Sequence, residues 1–317
     1  MSRSKLIKFL SVSILLGGVC WVLLLSVDSW KEFAEVASSC DFYYLAIVIV
    51  LGLVANYIST FIFKTLVECE EKRYVSLFDA SYLLYVGYML RHLPGRVWGV
   101  VYHATIAHTF DLKSQGLIKA NIVFTLTTLL LTASIPLGVV IASYHVSLGL
   151  VFVALASGFF FLLLSSPIIS AKVKQLLLIF IPVSYKVKFD DLFTFKAIPF
   201  KQALLILMAG LLSWMIYLLA WFFLPYAWPE IGGMDGLLAG AHYSISWLVG
   251  YLSFLTPSGI GAREGSYVLL TMGSESQGGS GAVLVLMFAR LWLVFNDVVL
   301  FTLFLVLRTI RDMAKKI

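Results

Sequence analysis

Four arginines lie where a cation is costly. Arg91, Arg96, Arg263 and Arg290 fall within apolar sequence, whereas the other Lys and Arg residues sit mostly in polar stretches. An arginine at the centre of a membrane-spanning helix costs about 2.5–3.5 kcal/mol on the insertion scale, so it calls for a partner or a wet cavity. Three of the four flank breaks. The first break reads Arg91-His92-Leu93-Pro94-Gly95-Arg96-Val97-Trp98, and the second reads Thr256-Pro257-Ser258-Gly259-Ile260-Gly261-Ala262-Arg263-Glu264-Gly265. Proline removes an N–H and drives the preceding residue out of helical geometry. Glycine permits backbone shapes that other residues avoid. The helix that restarts after such a break presents free N–H groups and a partial positive charge. An arginine at that point completes an anion site, for which phosphate is the natural ligand. We therefore assign phosphate binding to Arg91, Arg96, Ser258, Gly259, Gly261, Arg263 and Glu264, with supporting charge from Arg290 and Asp297.

The carboxylates leave alternatives open. Glu264 is placed to pair with Arg263 or with an arginine of the other break, and Asp297 follows Arg290 by seven positions, two turns along one helix face. Such pairs could equally serve only to lock helices together. Arg91 and Arg96 could instead snorkel to the interface. His92, His103, His108 and His242 are possible proton carriers, but a lone histidine more often makes one structural hydrogen bond. None has HExxH spacing, and Cys20, Cys40 and Cys69 form no CxxC, so no metal site or disulfide is expected. The chain has no Walker motif, and Gly278-Gly279-Ser280-Gly281 reads as a flexible outer loop. Neither nucleotide hydrolysis nor a bound cofactor is expected.

The elements that must hold these residues are apolar helices. Hydrophobic residues make up 61% of the 317 and charged residues only 13%, about half the share of a soluble protein. The runs 6–27, 42–63, 117–141, 147–169, 200–224 and 282–307 each read as a full span. The first is too long for the apolar core of a signal peptide and reads as a retained helix. Regions 76–108 and 236–272 are apolar but interrupted at the breaks. After the first break only 97–108 remains, twelve residues or about 18 Å of helix, short of a hydrocarbon core of about 30 Å. Each interrupted region therefore reads as a re-entrant helical hairpin that enters and leaves on one side. The fold class is all-α integral membrane, with six transmembrane helices plus two re-entrant hairpins.

Charge sets the orientation. With both termini in the cytoplasm, eighteen of the 23 Lys and Arg residues lie inside and Lys31 alone lies outside. The net charge of +6 thus reflects orientation and lipid headgroups rather than nucleic acid. Span, span, hairpin, span occurs twice, over 1–145 and 146–317. Three crossings per unit invert the second relative to the first. Pro94 and Pro257 are 163 positions apart, and the spans that follow the hairpins begin 165 apart. Paired broken helices in inverted repeats are a transporter signature. The basic, partly apolar stretch 170–200 reads as a cytoplasmic interfacial linker.

The two breaks also resemble those of a known family. Leu93-Pro94-Gly95-Arg96-Val97-Trp98-Gly99, with Tyr102 following, and Thr256 to Gly265 are similar to motifs in the membrane region of the lysylphosphatidylglycerol synthetase and flippase-like family, which includes the multiple peptide resistance factors. The second stretch lies close to that family's P-G-G-I-G-x-R-E-G pattern, with Ser258 standing where glycine is usual. The resemblance implies flippase-like movement of an anionic phospholipid or a polyprenyl-phosphate-linked glycan across a bacterial cytoplasmic membrane. It implies cargo contact for Arg96, Arg263 and Glu264. The family's soluble aminoacyl-transferase domain has no counterpart here, so lysyl transfer is not expected. Two other functions compete: an integral membrane transferase in envelope assembly, with Glu264 as its strongest catalytic candidate and Asp190-Asp191 a poor DxD match, and a scaffold for glycosyltransferases.

Overall fold

The computed structural model describes residues 39–90, 98–166, 197–228, 235–253, 261–271 and 280–314. Every regular element among them is helical. In chain order these are α1 (Phe42–Glu71), α2 (Leu77–Leu90), α3 (Trp98–Ile106), a 3-10 turn (Ala107–Phe110), α4 (Ser114–Tyr144), α5 (Val146–Ser165), α6 (Phe200–Ala227), α7 (Gly236–Leu252), α8 (Ala262–Thr271) and α9 (Ser280–Ala314).

Five of these helices, α1, α4, α5, α6 and α9, are long and apolar enough to cross a membrane. Their outer faces carry large apolar side chains, such as Leu155 at 70% exposure and Met215 at 68%. A helix that is apolar all round, with such residues turned outward, belongs in lipid rather than water. The chain is thus a multi-pass helical protein suited to a membrane. These five match the expected spans from 42, 117, 147, 200 and 282, while the expected span 6–27 lies outside the described residues.

Two helix ends differ from expectation for local reasons. Helix α1 continues past residue 63 to Glu71, because Lys64 and Glu68 form an i,i+4 ion pair of 2.7 Å that supports a polar last turn. Helix α5 stops at Ser165 rather than at 169. Ser166 precedes a proline in sequence and takes an extended conformation (φ −96, ψ 117), as the proline ring demands. Helix α4 runs through Pro136 without ending.

The described chain forms two compact units. One comprises Met1–Leu51, Tyr85–Gly99 and Leu219–Ile317; the other comprises Gly52–Leu84 and Val100–Leu218. The units interleave along the chain.

In the unit built on Gly52–Leu84 and Val100–Leu218, α4 and α5 form a tight antiparallel hairpin around His145. A Cβ on Gly149 would fall 2.6 Å from the Gly138 carbonyl, so glycine is what lets these two backbones meet. Phe63 packs edge-on to Phe124 with ring centroids 5.6 Å apart, and the Ser213 hydroxyl donates to the Ala55 carbonyl at 2.8 Å.

In the other unit, α7, α8 and α9 pack around an aromatic core. Trp221 is fully buried, 5.5 Å from Tyr243 and 5.9 Å from Trp292 between ring centroids. Tyr243 of α7 meets Tyr267 of α8 at 6.4 Å. A Cβ on Gly240 would lie 2.4 Å from Trp221 Cγ, so the indole needs that bare backbone. Trp221, Trp228 and Trp292 are buried packing residues, while Trp98 is 41% exposed.

Candidate functional site

The breaks themselves, and with them Arg91, Arg96, Ser258 and Gly259, lie outside the described residues. The helices that flank them are described. Helices α3 and α8 have nine and ten residues, about 14–15 Å at 1.5 Å per residue, roughly half a hydrocarbon core.

At the second break, Gly261 has φ +85, a left-handed conformation that strains any residue with a Cβ. Its carbonyl accepts from the Gly265 N–H at 2.9 Å, which makes it the residue that opens α8. Glu264, three positions on, reaches back so that its Oε2 accepts from the Gly261 N–H at 2.6 Å. This is the carboxylate half of a capping box, and it satisfies a donor the helix start would otherwise leave open. The other oxygen, Oε1, accepts from Arg290 Nη2 of α9 in a half-buried ion pair, each side chain 30% exposed.

That pairing decides between the alternatives that lie among the described residues; the arginines of the other break lie outside them. Glu264 takes Arg290 rather than Arg263, and Arg290 takes Glu264 rather than Asp297 seven residues along its own helix. Asp297 is buried at 1% exposure and is not without a partner. The i,i+7 spacing put both residues on one face of α9, but a facing helix supplied the nearer charge.

Arg263 is left in a different state from its neighbours. Its Nε is buried with no hydrogen-bond partner, and no carboxylate among the described residues pairs with its guanidinium. It occupies the second position of α8, where the helix start already presents N–H groups and partial positive charge. With Glu264 neutralised by Arg290, the local surplus is one positive charge on a group built for bidentate contact with an oxyanion.

Beside the first break the chemistry is neutral. His103 of α3 is buried at 1% exposure. Its Nε2 lies 2.9 Å from the Leu83 carbonyl of α2, and its Nδ1 lies 2.7 Å from Asn121 Nδ2 of α4. The carbonyl can only accept, so Nε2 carries the hydrogen, and Nδ1 accepts from the Asn121 amide. A second proton on Nδ1 would face the amide hydrogens, so the ring is held neutral as a clamp joining three helices. This fits the structural reading of a lone histidine and leaves no role for His103 as a proton carrier. Asn121 is the partner that sequence inspection missed; an asparagine inside an apolar run was the available signal.

Among the described residues no three His, Cys, Asp or Glu side chains converge in a way that could hold a metal ion, and neither Cys40 nor Cys69 forms a disulfide. No protein-family model, no curated protein and no solved structure matches the chain.

Proposed function

We propose that the chain moves an anionic, phosphate-bearing lipid or lipid-linked sugar across the cytoplasmic membrane, as a flippase-like protein related to the lysylphosphatidylglycerol synthetase membrane-region family. One observation carries the reading. Arg263 stands at the start of α8 with its guanidinium unpaired among the described residues, while its two charged neighbours neutralise each other. An unpaired guanidinium at low dielectric is costly unless a ligand phosphate completes it. In this reading the headgroup rests on Arg263 and the α8 N-terminus while its acyl or prenyl chains stay in lipid. Six spans, two re-entrant hairpins in inverted repeats, both termini in the cytoplasm and a matching role for Arg96 belong to the same proposal. The short α3 and α8 beside their breaks support it, because helices of that length need a hairpin to stay at membrane depth.

The transferase alternative is weaker. Its best catalytic candidate, Glu264, has one oxygen on the Gly261 N–H and the other on Arg290, which leaves it poorly suited to accept a substrate proton. The scaffold alternative predicts a stable complex with glycosyltransferases and no lipid movement by the chain alone. Proteoliposomes carrying fluorescently labelled phosphatidylglycerol separate the readings. Translocation well above that of protein-free vesicles supports transport, and a rate equal to that of empty vesicles rejects it.

A further inference from the structure

A second site lies in the unit that does not contain Arg263. A chamber of about 380 Å³ opens between α1, α4, α5 and α6. Leu66, Leu126, Leu130, Phe160, Leu164 and Ile198 give it apolar walls. The volume sets the size of an occupant. An apolar cavity of about 150 Å³ holds a benzene ring. This chamber therefore takes a ring and a short length of chain, not the two chains of a phospholipid.

Depth then sets the chemistry. The charged lining, Glu68, Glu70 and Lys72, belongs to the last turn of α1 and the residue after it. That end is level with the start of α4, where the Lys113 N–H donates to Glu71 Oε2 at 3.1 Å. Along α4 the lining runs on from Ala120 to Leu130. Within it, Thr127 stands thirteen residues past Ser114, about 20 Å of helix, and two residues from the centre of this 31-residue element. The far part of the chamber thus reaches the middle of a helix long enough to cross a membrane.

Of the described lining that α4 and α5 supply, Thr127 alone is polar. It is buried at 1% exposure, and its hydroxyl has no hydrogen-bond partner. Its neighbours on α4 behave differently. Thr125, Thr128 and Thr132 each donate to the carbonyl four residues back, at 2.9, 3.0 and 2.7 Å. A buried hydroxyl without that bond carries a desolvation penalty that an acceptor in the chamber would relieve.

That acceptor must reach mid-membrane depth on an uncharged, largely apolar molecule. A phospholipid or monoacylglycerol holds its ester carbonyls beside its headgroup at the interface, roughly half of a 30 Å hydrocarbon core away. A quinone with a hydrocarbon tail carries its carbonyls on an apolar ring. Phe160, 3% exposed, offers such a ring an aromatic neighbour.

We propose that this chamber binds a lipid-soluble quinone, with one ring carbonyl accepting from the Thr127 hydroxyl and the ring seated between α4 and α5. No charged group enters the selection, and the site stands whether or not the cargo reading for Arg263 holds. The test is native mass spectrometry of the delipidated full chain in detergent. It is titrated with decyl-para-benzoquinone, with decylbenzene, which has the same ring and tail but no carbonyl, and with monoolein. We expect a one-to-one quinone adduct that forms at several-fold lower concentration than either comparator. Thr127→Val keeps the side-chain shape and should weaken the quinone adduct about fivefold, the size of one net hydrogen bond, while leaving decylbenzene unchanged. Leu130→Trp should abolish the adduct by filling the chamber, scored only in protein whose thermal transition matches wild type. Quinone binding no tighter than decylbenzene or monoolein, no specific adduct, or full-strength binding by Thr127→Val would overturn the proposal.

Discussion

The helices beside the two breaks use opposite means to hold a polar group in an apolar setting. At the first, His103 is neutral, fully buried and satisfied on both ring nitrogens by Leu83 and Asn121. At the second, Glu264 is charged, half-buried and satisfied by a backbone N–H and by Arg290. The first arrangement leaves nothing over. The second leaves Arg263, a cation whose Nε is buried without a partner. A polar group whose bonds are all made internally joins helices; one whose bonds are not made is available to a ligand. By that criterion α8 is, of the two described helices, the one to which the proposed function assigns an anion, and α3 is an anchor.

The comparison can be broken most sharply at Glu264. Glu264→Ala strips the capping bond from Gly261 and leaves Arg290 without its carboxylate, so we expect a loss of about 2–3 kcal/mol, discounted for partial exposure. A thermal midpoint in detergent unchanged from wild type would show that the ion pair is not a helix lock. Glu264→Gln combined with Arg290→Met should recover most of the loss, because no lone charge remains and the amide oxygen can still cap the helix.

A smaller effect is expected at the first break. His103→Leu keeps most of the packing against Phe63 but strands the Asn121 amide, at a cost of about 1–3 kcal/mol. Adding Asn121→Leu should return part of it, since removing both partners is gentler than removing one. Two additive losses in that double variant would contradict a direct bond between the residues. The smallest effect on stability belongs to Arg263→Gln. It removes a charge with no partner among the described residues, so we expect no loss in the same melting assay and a gain where the ligand-free guanidinium was a cost.

The long spans were legible because lipid imposes one simple demand, about 20 apolar residues in a row. Five helices followed that signal closely, and their ends slipped where local chemistry overrode it, at the Lys64–Glu68 pair and at Ser166 before its proline. The capping relation of Gly261 to Glu264 was also within reach, since it depends on a spacing of three. The partner of Arg290 was not. Residue 264 lies 26 positions away on another helix, and only packing brings the two together. Asp297, favoured by helical periodicity, lost to it for that reason. The unbonded Thr127 hydroxyl left no trace in the sequence either: Thr125, Thr127, Thr128 and Thr132 lie close together on α4, and nothing local tells which one will fail to bond its own helix. Sequence spacing thus reports interactions within one helix, and the sites here are made by side chains from several.

The central claim is that Arg263 serves a ligand and not the fold. It is tested most directly by transfer of labelled phosphatidylglycerol in proteoliposomes, comparing wild type with Arg263→Gln at matched, verified folding. We expect the variant to melt no lower than wild type and to translocate at least tenfold more slowly, about 1.4 kcal/mol or more of lost interaction along the transfer path. Equal rates from equally folded proteins would contradict the account and return Arg263 to the status of an unexplained cation with a buried Nε.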